Sequence, residues 1–418
     1  MKNNNNQSTQ QIELKSIFRA LRYRNFRLFF MGQGTSLVGT WMQQMAMSWL
    51  VYRMTNSAFI LGAVGFLGQI PTFFLTPFAG VFADRWNRRR ILIVTQTLAM
   101  FQAFILAILT ITGTIAVWHI IAMGILLGGI NSLDMPTRQS FVVDMVESKE
   151  TLGNAIALNS FMFNAARLIG PSIAGIVVSI AGEGVCFFLN GLSFLAVILS
   201  LLYMRIHSGH KEKTETNMLA GIKEGVKYAF GFAPIRYILM LTGAMSLLGM
   251  SYAVLMPIFA RDILHGGPHT LGFLMATGGA GALIGTLYLA SRKNAAGLGD
   301  VIPLASVIFG IALIAFSLSR VLWLSLALIF FVGFGMMVQM ASVNTVLQTI
   351  VEDDKRGRVM SLYTMAFAGV APVGSLLAGI FADIIGASNT LMIGGIFCLS
   401  ASLLFSSKIP LINKYLNK

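Results

Sequence analysis

The sequence predicts an all-α polytopic membrane protein with twelve transmembrane helices arranged as two six-helix pseudo-repeats. Three observations lead to this fold class. The chain is 56% hydrophobic and only 11% charged, with a mean hydropathy of +0.75, which excludes an ordinary soluble protein. Its apolar residues fall into runs long enough to cross a bilayer. The second half of the chain also repeats part of the first half at a constant offset.

Twelve apolar runs are the candidate spans. A helix needs about 20 mainly apolar residues to cross the hydrocarbon core, and lipid offers no partner to an unpaired backbone amide, so each span is expected to be helical. Cys186 and Cys398 lie within apolar runs, so the sequence predicts neither a disulfide nor a metal site. The runs lie near residues 26–52, 58–83, 90–112, 116–136, 152–180, 184–206, 236–260, 270–291, 301–319, 321–345, 358–383 and 389–409.

Lysine and arginine fall mostly on one side of the predicted membrane. If the N-terminus is cytoplasmic and the spans alternate, all but four of the 30 lysines and arginines lie in cytoplasmic segments. The exceptions are Arg53, Arg261 and Arg320 on the outside, and Arg167 within a span. This is the positive-inside pattern. It explains the formal charge of +14 by topology and attraction to anionic membrane lipid, without nucleic-acid binding.

An internal repeat divides the chain into two halves. Shifted by 204 residues, the stretch 153–182 meets 357–386 with nine identical positions in thirty. Duplicated halves are typical of secondary transporters, which bind substrate between the halves near mid-membrane. The predicted organisation is a cytoplasmic arm with an interfacial helix (1–25), an N-terminal six-helix bundle (26–206), a cytoplasmic linker (207–235), a C-terminal six-helix bundle (236–409) and a cytoplasmic tail (410–418).

The loop between the second and third spans is strongly charged. It reads G-x-x-x-D-R-x-x-R-R and contains Gly80, Asp84, Arg85, Arg88 and Arg89. The loop resembles the signature loop of the major facilitator superfamily, although asparagine stands between the arginines where that family usually has glycine. The resemblance implies the major facilitator fold for essentially the whole chain.

We interpret this loop as a cytoplasmic gate. A carboxylate at the end of one helix can accept bonds from the amides at the start of another, and the eleventh helix near Gly357 is the expected partner of Asp84. The resemblance implies the same contact, together with pairing of Arg88 to an acid on the fourth helix, for which Asp134 is the candidate. The alternative is plain positive-inside anchoring, which requires arginines but neither Gly80 nor Asp84.

A second motif lies on the fifth span. Ala166, Gly170, Pro171, Ala174 and Gly175 resemble the antiporter motif of drug-exporting facilitators. Small residues at this spacing allow helices to approach closely, and the proline frees the carbonyl four residues earlier. Tight packing alone is the alternative reading, whereas the resemblance favours export over import.

The connection between the fourth and fifth spans indicates a branch of the superfamily. A turn with Asp134, Pro136 and Arg138, followed by Asn164 and Arg167, resembles the branch of enterobactin-type siderophore exporters and macrolide efflux proteins. The mid-helix arginine of the drug exporters' fourth helix is missing here. If protons drive export, Asp134 is the best candidate to carry them.

Arg167 is the basic residue that lies within the hydrophobic part of a span. Burying it costs about 2.5–3.5 kcal/mol on the insertion scale, so it should face a cavity or a partner. Its planar guanidinium suits an oxygen-rich anionic substrate, and a structural ion pair with Asp134 is the alternative. The other candidate cavity residues are the polar and aromatic side chains within spans: Trp41, Gln43, Gln44, Asn159, Asn164, Tyr252, Gln339, Asn344 and Tyr363.

The sequence therefore predicts a secondary active transporter of the bacterial inner membrane, with both termini in the cytoplasm. We expect it to export a siderophore- or drug-like small molecule by alternating access, coupled to an ion such as the proton, and to be a monomer. The sequence contains no Walker loop, metal-ligand cluster or nucleophile triad, so neither a cofactor nor an enzymatic activity is expected. The alternatives are a lysophospholipid flippase and a transport-dead membrane sensor.

Overall fold

A computed structural model describes residues 18–146, 149–205, 226–292, 297–352 and 355–416, apart from the side chains of 77–85 and 149–150. Regular structure in these ranges is helical throughout, beginning with a 3-10 turn at Arg19–Arg22. The helices are α1 Arg24–Thr55, α2 Ala58–Arg85, α3 Arg88–Ile111, α4 Val117–Asp144, α5 Lys149–Ala181, α6 Glu183–Tyr203, α7 Ala233–Ile263, α8 Pro268–Ala290, α9 Leu298–Leu318, α10 Leu322–Ile350, α11 Arg356–Ile385, α12 Ala387–Ser406 and α13 Ile409–Leu416.

The all-α membrane fold class is confirmed. Within the described residues, 11 helices, α2 to α12, are long and apolar enough to cross a membrane. Helix α1 has 32 residues, which span about 48 Å at 1.5 Å per residue, but its polar and charged side chains lower its mean hydropathy. The predicted spans therefore correspond to helices α1 to α12, of which the eleven from α2 to α12 are long and apolar enough to cross a membrane.

Helix α4 is longer than the sequence predicts. The expected turn at Asp134, Pro136 and Arg138 is wrong, because the helix continues without interruption to Asp144. A proline inside a helix removes one backbone hydrogen bond and does not always end the helix. Here an ion pair between the Asp134 carboxylate and the Arg138 guanidinium, at 3.3 Å, also joins one turn to the next across the proline.

The helices pack as two groups. Helices α1 to α6 contact one another mainly through the pairs α1–α6, α2–α4, α3–α6, α1–α5 and α3–α4. Helices α7 to α12 do so mainly through α8–α10, α9–α10 and α9–α12. We call these the N-terminal group and the C-terminal group. They meet along two seams, α2 with α11 and α5 with α8. The two seams are equivalent, because replacing each helix by the one six positions away turns one pair into the other.

Glycines allow the backbones to touch at both seams. At the first seam, a Cβ on Gly62 would lie 3.0 Å from the Cα of Gly379. At the second, a Cβ on Gly272 would lie 2.5 Å from the Pro171 carbonyl oxygen and 3.0 Å from the Cα of Gly175. Side chains larger than hydrogen therefore do not fit, which is the small-residue packing that membrane helices use for close association.

Two helices of the C-terminal group contain π-helical turns. The two turns that contact each other lie at Met245–Gly249 in α7 and Met365–Gly369 in α11, and α7 has a further π-helical turn at Phe259–Ile263. Such turns leave carbonyls without their usual partner. The Ser246 hydroxyl of the first turn donates to the Phe367 carbonyl of the second, so the two irregular turns are joined directly.

The seam between α5 and α8 provides the first prediction. Gly272→Ala should lower the stability of the protein by about 1–3 kcal/mol, because the new methyl group overlaps the backbone of α5. The measurement is the melting temperature of the purified variant in detergent. Gly153→Ala is the matched control, since a Cβ there meets no described atom within 4 Å, and it should leave the melting temperature unchanged or raise it. Equal effects of the two variants would contradict the seam.

Candidate functional site

The end of the molecule that contains Arg88, Asp144 and Gly357 is called the Arg88 end, and the sequence predicts that it faces the cytoplasm. The Asn87 side chain accepts a bond from the Arg90 amide at 3.2 Å and so caps α3. This cap is a physical reason for asparagine at the position where the family usually has glycine.

Arg88 and Arg89 of the signature loop have contacts within the N-terminal group. The Arg88 guanidinium lies 3.0 Å from the Asp144 carboxylate at the end of α4. The Arg89 guanidinium donates to the carbonyls of Leu201 and Leu202, at 2.6 and 2.7 Å, and so satisfies the end of α6. These contacts hold α3, α4 and α6 together at the Arg88 end.

The predicted pairing of Arg88 with Asp134 is wrong. Helix α4 runs ten residues beyond Asp134, so the acid at its last residue, Asp144, meets the start of α3 instead. Asp134 is buried beside a later part of α3. Its carboxylate accepts bonds from the Thr95 hydroxyl at 2.9 Å and the Gln96 amide at 2.7 Å, besides the ion pair with Arg138. What identifies Asp144 as the partner is its position opposite Arg88, the first residue of α3.

The remaining gate residues stay predictions. The side chains of Gly80, Asp84 and Arg85 lie outside the described part of the structure, and so does the predicted contact of Asp84. Gly357 is the second residue of α11, and no described atom lies within 4 Å of the position its Cβ would take. The backbone of α2 does extend to Arg85, as a carboxylate at the helix end requires.

The antiporter-like motif forms contacts on two sides of α5. A Cβ on Gly170 would lie 2.6 Å from the Trp41 Cβ of α1, and one on Gly175 would lie 3.0 Å from the Pro268 carbonyl at the start of α8. Ala166 and Ala174 are buried. The motif therefore packs α5 between α1 and α8. The face of α5 that is not used in this packing lies beside the gap between the two groups.

Arg167 lies on α5 beside the second seam. Its backbone packs against α8, where a Cβ on Gly279 would lie 2.9 Å from the Arg167 carbonyl oxygen. Its guanidinium lies over the Trp41 ring, 5.6 Å from the ring centroid. It is partly exposed and has no hydrogen-bond or ion-pair partner among the described residues. The ion pair with Asp134 is wrong, because Arg138 occupies that carboxylate.

Polar and aromatic residues extend this region along α5 and α1. Asn159 and Phe163 lie eight and four residues before Arg167, so the three share one face of the helix. Phe163 is exposed and contacts the Trp41 ring edge to face, with centroids 5.7 Å apart. Gln44, less than one turn after Trp41, is exposed. This set of partly exposed side chains is the candidate substrate site.

Five of the predicted cavity residues are buried in this structure and stay predictions outside the exposed set: Gln43, Asn164, Tyr252, Gln339 and Tyr363. Most of them satisfy polar groups inside a helix group. Gln43 donates to Gln102 and accepts from Asn190, at 3.1 and 2.8 Å, and so connects α1, α3 and α6. The Tyr363 hydroxyl donates to the Met340 carbonyl. Asn344 is half-buried and accepts a bond from the Gln348 amide.

An apolar cavity of about 330 Å³ lies elsewhere, between α7, α11 and α12. Leu248, Phe381 and Ile393 are among its lining residues, two of them exposed on the outer surface of the helices. It is within the C-terminal group and does not include Arg167. Ser251 and Thr390 are its polar lining residues and the others are apolar, so we do not assign it to the recognition of a charged, hydrophilic solute.

Comparisons with known proteins agree with this architecture. The major facilitator family described as "Transmembrane secretion effector" matches residues 15–416. The chain belongs to this family. It is 29% identical to the Staphyloferrin A transporter of Staphylococcus aureus over 386 residues, 91% of this chain and 95% of that protein. It is 22% identical to macrolide efflux protein A of Streptococcus pyogenes, over 94% of this chain and 98% of that protein.

A solved structure shows the same fold at low sequence identity. A POT family transporter crystallised with 5-aminolevulinic acid is 11% identical, with a TM-score of 0.73 over 93% of this chain and 96% of that chain. The superfamily and the fold expected from the signature loop are therefore confirmed. The chain is a multi-span membrane protein of a transporter family.

The two aspartates of α4 provide the second prediction. Asp134→Ala should destabilise the protein by about 3–5 kcal/mol, because it leaves Arg138 and Gln96 without their buried acceptor. Asp144→Ala removes a more exposed ion pair with Arg88 and should cost about 0–1 kcal/mol. Both are measured as melting temperatures of the purified variants. A larger loss for Asp144→Ala would show that the signature-loop pair, and not the buried carboxylate, holds α3 against α4.

Proposed function

We propose that this protein exports a small oxygen-rich anion, siderophore- or drug-like, and that Arg167 is the group that recognises it. The observation that carries the proposal is a partly exposed guanidinium, within a membrane span and beside the seam of the two groups, with no acid partner in the described structure. A charge in this position is costly unless it faces water or a partner. A bound anion would supply that partner.

The surroundings of Arg167 suit such a ligand. The Arg167 guanidinium lies over the Trp41 ring at a cation–π distance of 5.6 Å, while its N–H groups remain available for a carboxylate or catecholate oxygen. Asn159 and Gln44 add amide groups on the same side. Phe163 adds an apolar surface against which the remainder of the molecule can pack.

Export is the direction that the relatives and the antiporter-like motif favour. The relatives include a Staphyloferrin A transporter and a macrolide efflux protein, and both matches extend over nearly the whole chain. Alternating access requires two bundles that rock about a common substrate site. The two equivalent seams, α2–α11 and α5–α8, support bundles at 26–206 and 236–409 that move in this way. The charge distribution favours cytoplasmic termini in the bacterial inner membrane, and we propose a monomer.

Arg167 provides the third prediction. Arg167→Lys retains the charge but loses the planar fork, and should reduce transport of an oxygen-rich anion at least tenfold with little change in melting temperature. Arg167→Ala should reduce it further. The measurements are uptake of a candidate anion into inverted membrane vesicles, binding by the purified variants and their melting temperatures.

Arg53→Lys is the matched control for this experiment. Arg53 is another partly exposed arginine of the N-terminal group, but its guanidinium is bound to Glu183 at 2.8 Å, away from the candidate site. The Arg53→Lys variant should transport the anion at the normal rate. Normal anion binding by Arg167→Ala, combined with a large loss of melting temperature, would show that Arg167 is structural and would refute the proposed recognition.

The fourth prediction concerns energy coupling. We propose that protons drive export and that Asp134 carries them, because it is a buried carboxylate near the Arg88 end of the N-terminal group. Its carboxylate is occupied by the Thr95 hydroxyl, the Gln96 amide and the Arg138 guanidinium, so a proton can reach it only if one of these side chains turns away. A protonophore should abolish transport by the unaltered protein, and Asp134→Asn should lose the dependence on the proton gradient. Transport that is insensitive to the protonophore would refute proton coupling.

A further inference from the structure

The opposite end of the molecule carries a carboxylate contact between the helix groups. We call it the Asp383 end, after the aspartate near the end of α11. One oxygen of the Asp383 carboxylate accepts the Ala58 amide at 2.8 Å. The other accepts the Phe59 amide and the Ser57 hydroxyl, each at 3.2 Å. Ala58 and Phe59 are the first two residues of α2.

These bonds complete the start of α2. The first amides of a helix have no partner within it, and here the Ile60 amide is capped by the Ser57 hydroxyl while Asp383 takes the two before it. A negative charge at this position also interacts favourably with the helix dipole. Since Asp383 belongs to the C-terminal group, the cap exists only while that group touches the start of α2.

The register of the seam brings these groups together. Gly62 of α2 touches Gly379 of α11, and the helices are antiparallel. One turn from this contact, in the same direction, lie Ala58 on one helix and Asp383 on the other. A small opening of the seam therefore separates the carboxylate from the amides, because hydrogen bonds weaken steeply beyond about 3.2 Å.

Neighbouring contacts close the same end. The Tyr52 hydroxyl at the end of α1 donates to the Asp262 carboxylate of α7. The Arg261 guanidinium donates to the Asn56 side chain at 2.6 Å and lies over the Tyr52 ring. A connection of only two residues joins α1 to α2, so these contacts and the Asp383 cap all act on the same short connection and the helix ends beside it. Among polar contacts in which both partners belong to the described residues, all of those that join the two groups lie at this end.

We propose that Asp383 is a positioning residue for transport: its cap on α2 holds the Asp383 end closed. The sequence predicts the reciprocal arrangement of the same two helices at the Arg88 end. From Gly62, Asp84 lies 22 residues further along α2, and from Gly379, Gly357 lies 22 residues back along α11. The C-terminal end of each helix therefore carries an aspartate at the depth where the other begins. With the predicted Asp84 cap, one cap would favour each conformer, and the proposal rests on the alternating access described above.

The experiment measures the opening of the Asp383 end directly. Spin labels on Thr114→Cys and Val321→Cys, exposed in loops of the N-terminal and C-terminal group, report the distance between the groups at this end. Both native cysteines are buried and should not be labelled. In the full-length protein in lipid nanodiscs without substrate, Asp383→Asn should raise the ratio of long to short distances about two- to fivefold, as expected for an exposed charge at a helix start.

Two further variants make the test decisive. Glu183→Gln is the matched control, because Glu183 is a carboxylate at the same end whose ion pair with Arg53 joins two helices of one group. It should leave the distances unchanged. Adding Asp84→Asn to Asp383→Asn should return the distances toward those of the unaltered protein, since both caps are then weakened.

Unchanged distances in Asp383→Asn, with or without a loss of melting temperature, would overturn the proposal. The proposal would also be overturned if Glu183→Gln shifted the distances as much as Asp383→Asn does. The measurement uses no substrate, so it separates this proposal from the one for Arg167. A shift in distances together with failure of anion recognition would leave the Asp383 cap intact and reject only the substrate assignment.

Discussion

The structure depends on direct backbone contact between helices at two seams. In lipid, helices gain little from burying apolar side chains against one another, so close van der Waals packing and a few polar contacts must hold them together. Gly62 with Gly379 and Gly175 with Gly272 supply that packing, and both pairs join the N-terminal group to the C-terminal group. Because these contacts exclude even a methyl group, they fix the register of each helix pair to within a residue.

That register determines what lies beside each seam. On α5, small residues face α1 and α8, and the face that remains carries Asn159, Phe163 and Arg167. The charge of Arg167 is thereby held at the boundary of the groups, against the Trp41 ring, without an acid to neutralise it. A substrate anion and a change in the distance between the groups would both act on the same guanidinium. In the proposed function, recognition and conformational change would therefore be coupled through Arg167.

Charged residues at the two ends have different partners. At the Arg88 end, the described arginines of the signature loop bind helices of their own group, Arg88 to α4 and Arg89 to α6. At the Asp383 end, Asp383 and Arg261 bind across the groups. Contacts within a group make it rigid, whereas contacts between groups can break when the groups separate. The described contacts of Arg88 and Arg89 therefore stabilise the N-terminal group as a unit.

The sequence by itself determined the class of protein, the spans and the family. Hydropathy and length are sufficient for this, since any run of about 20 apolar residues must form a helix in lipid. The signature loop identified the superfamily because its residues lie close together in the chain. What only the tertiary structure decided is which side each polar residue faces. Gln43 and Gln44 are neighbours in the sequence, yet one is buried in a hydrogen-bonded network and the other is exposed.

The same limit explains the partners of the charged residues. The sequence placed one acid, Asp134, on the fourth helix and an arginine at the start of the third, but the pairing with Asp144 followed from the length of a helix that continues through Pro136. The cap of Asp383 on α2 joins residues more than 300 positions apart, and no local pattern encodes it. Contacts of this kind depend on how whole helices are positioned against one another. Packing of small residues along the seams sets those positions, and hydropathy does not record it.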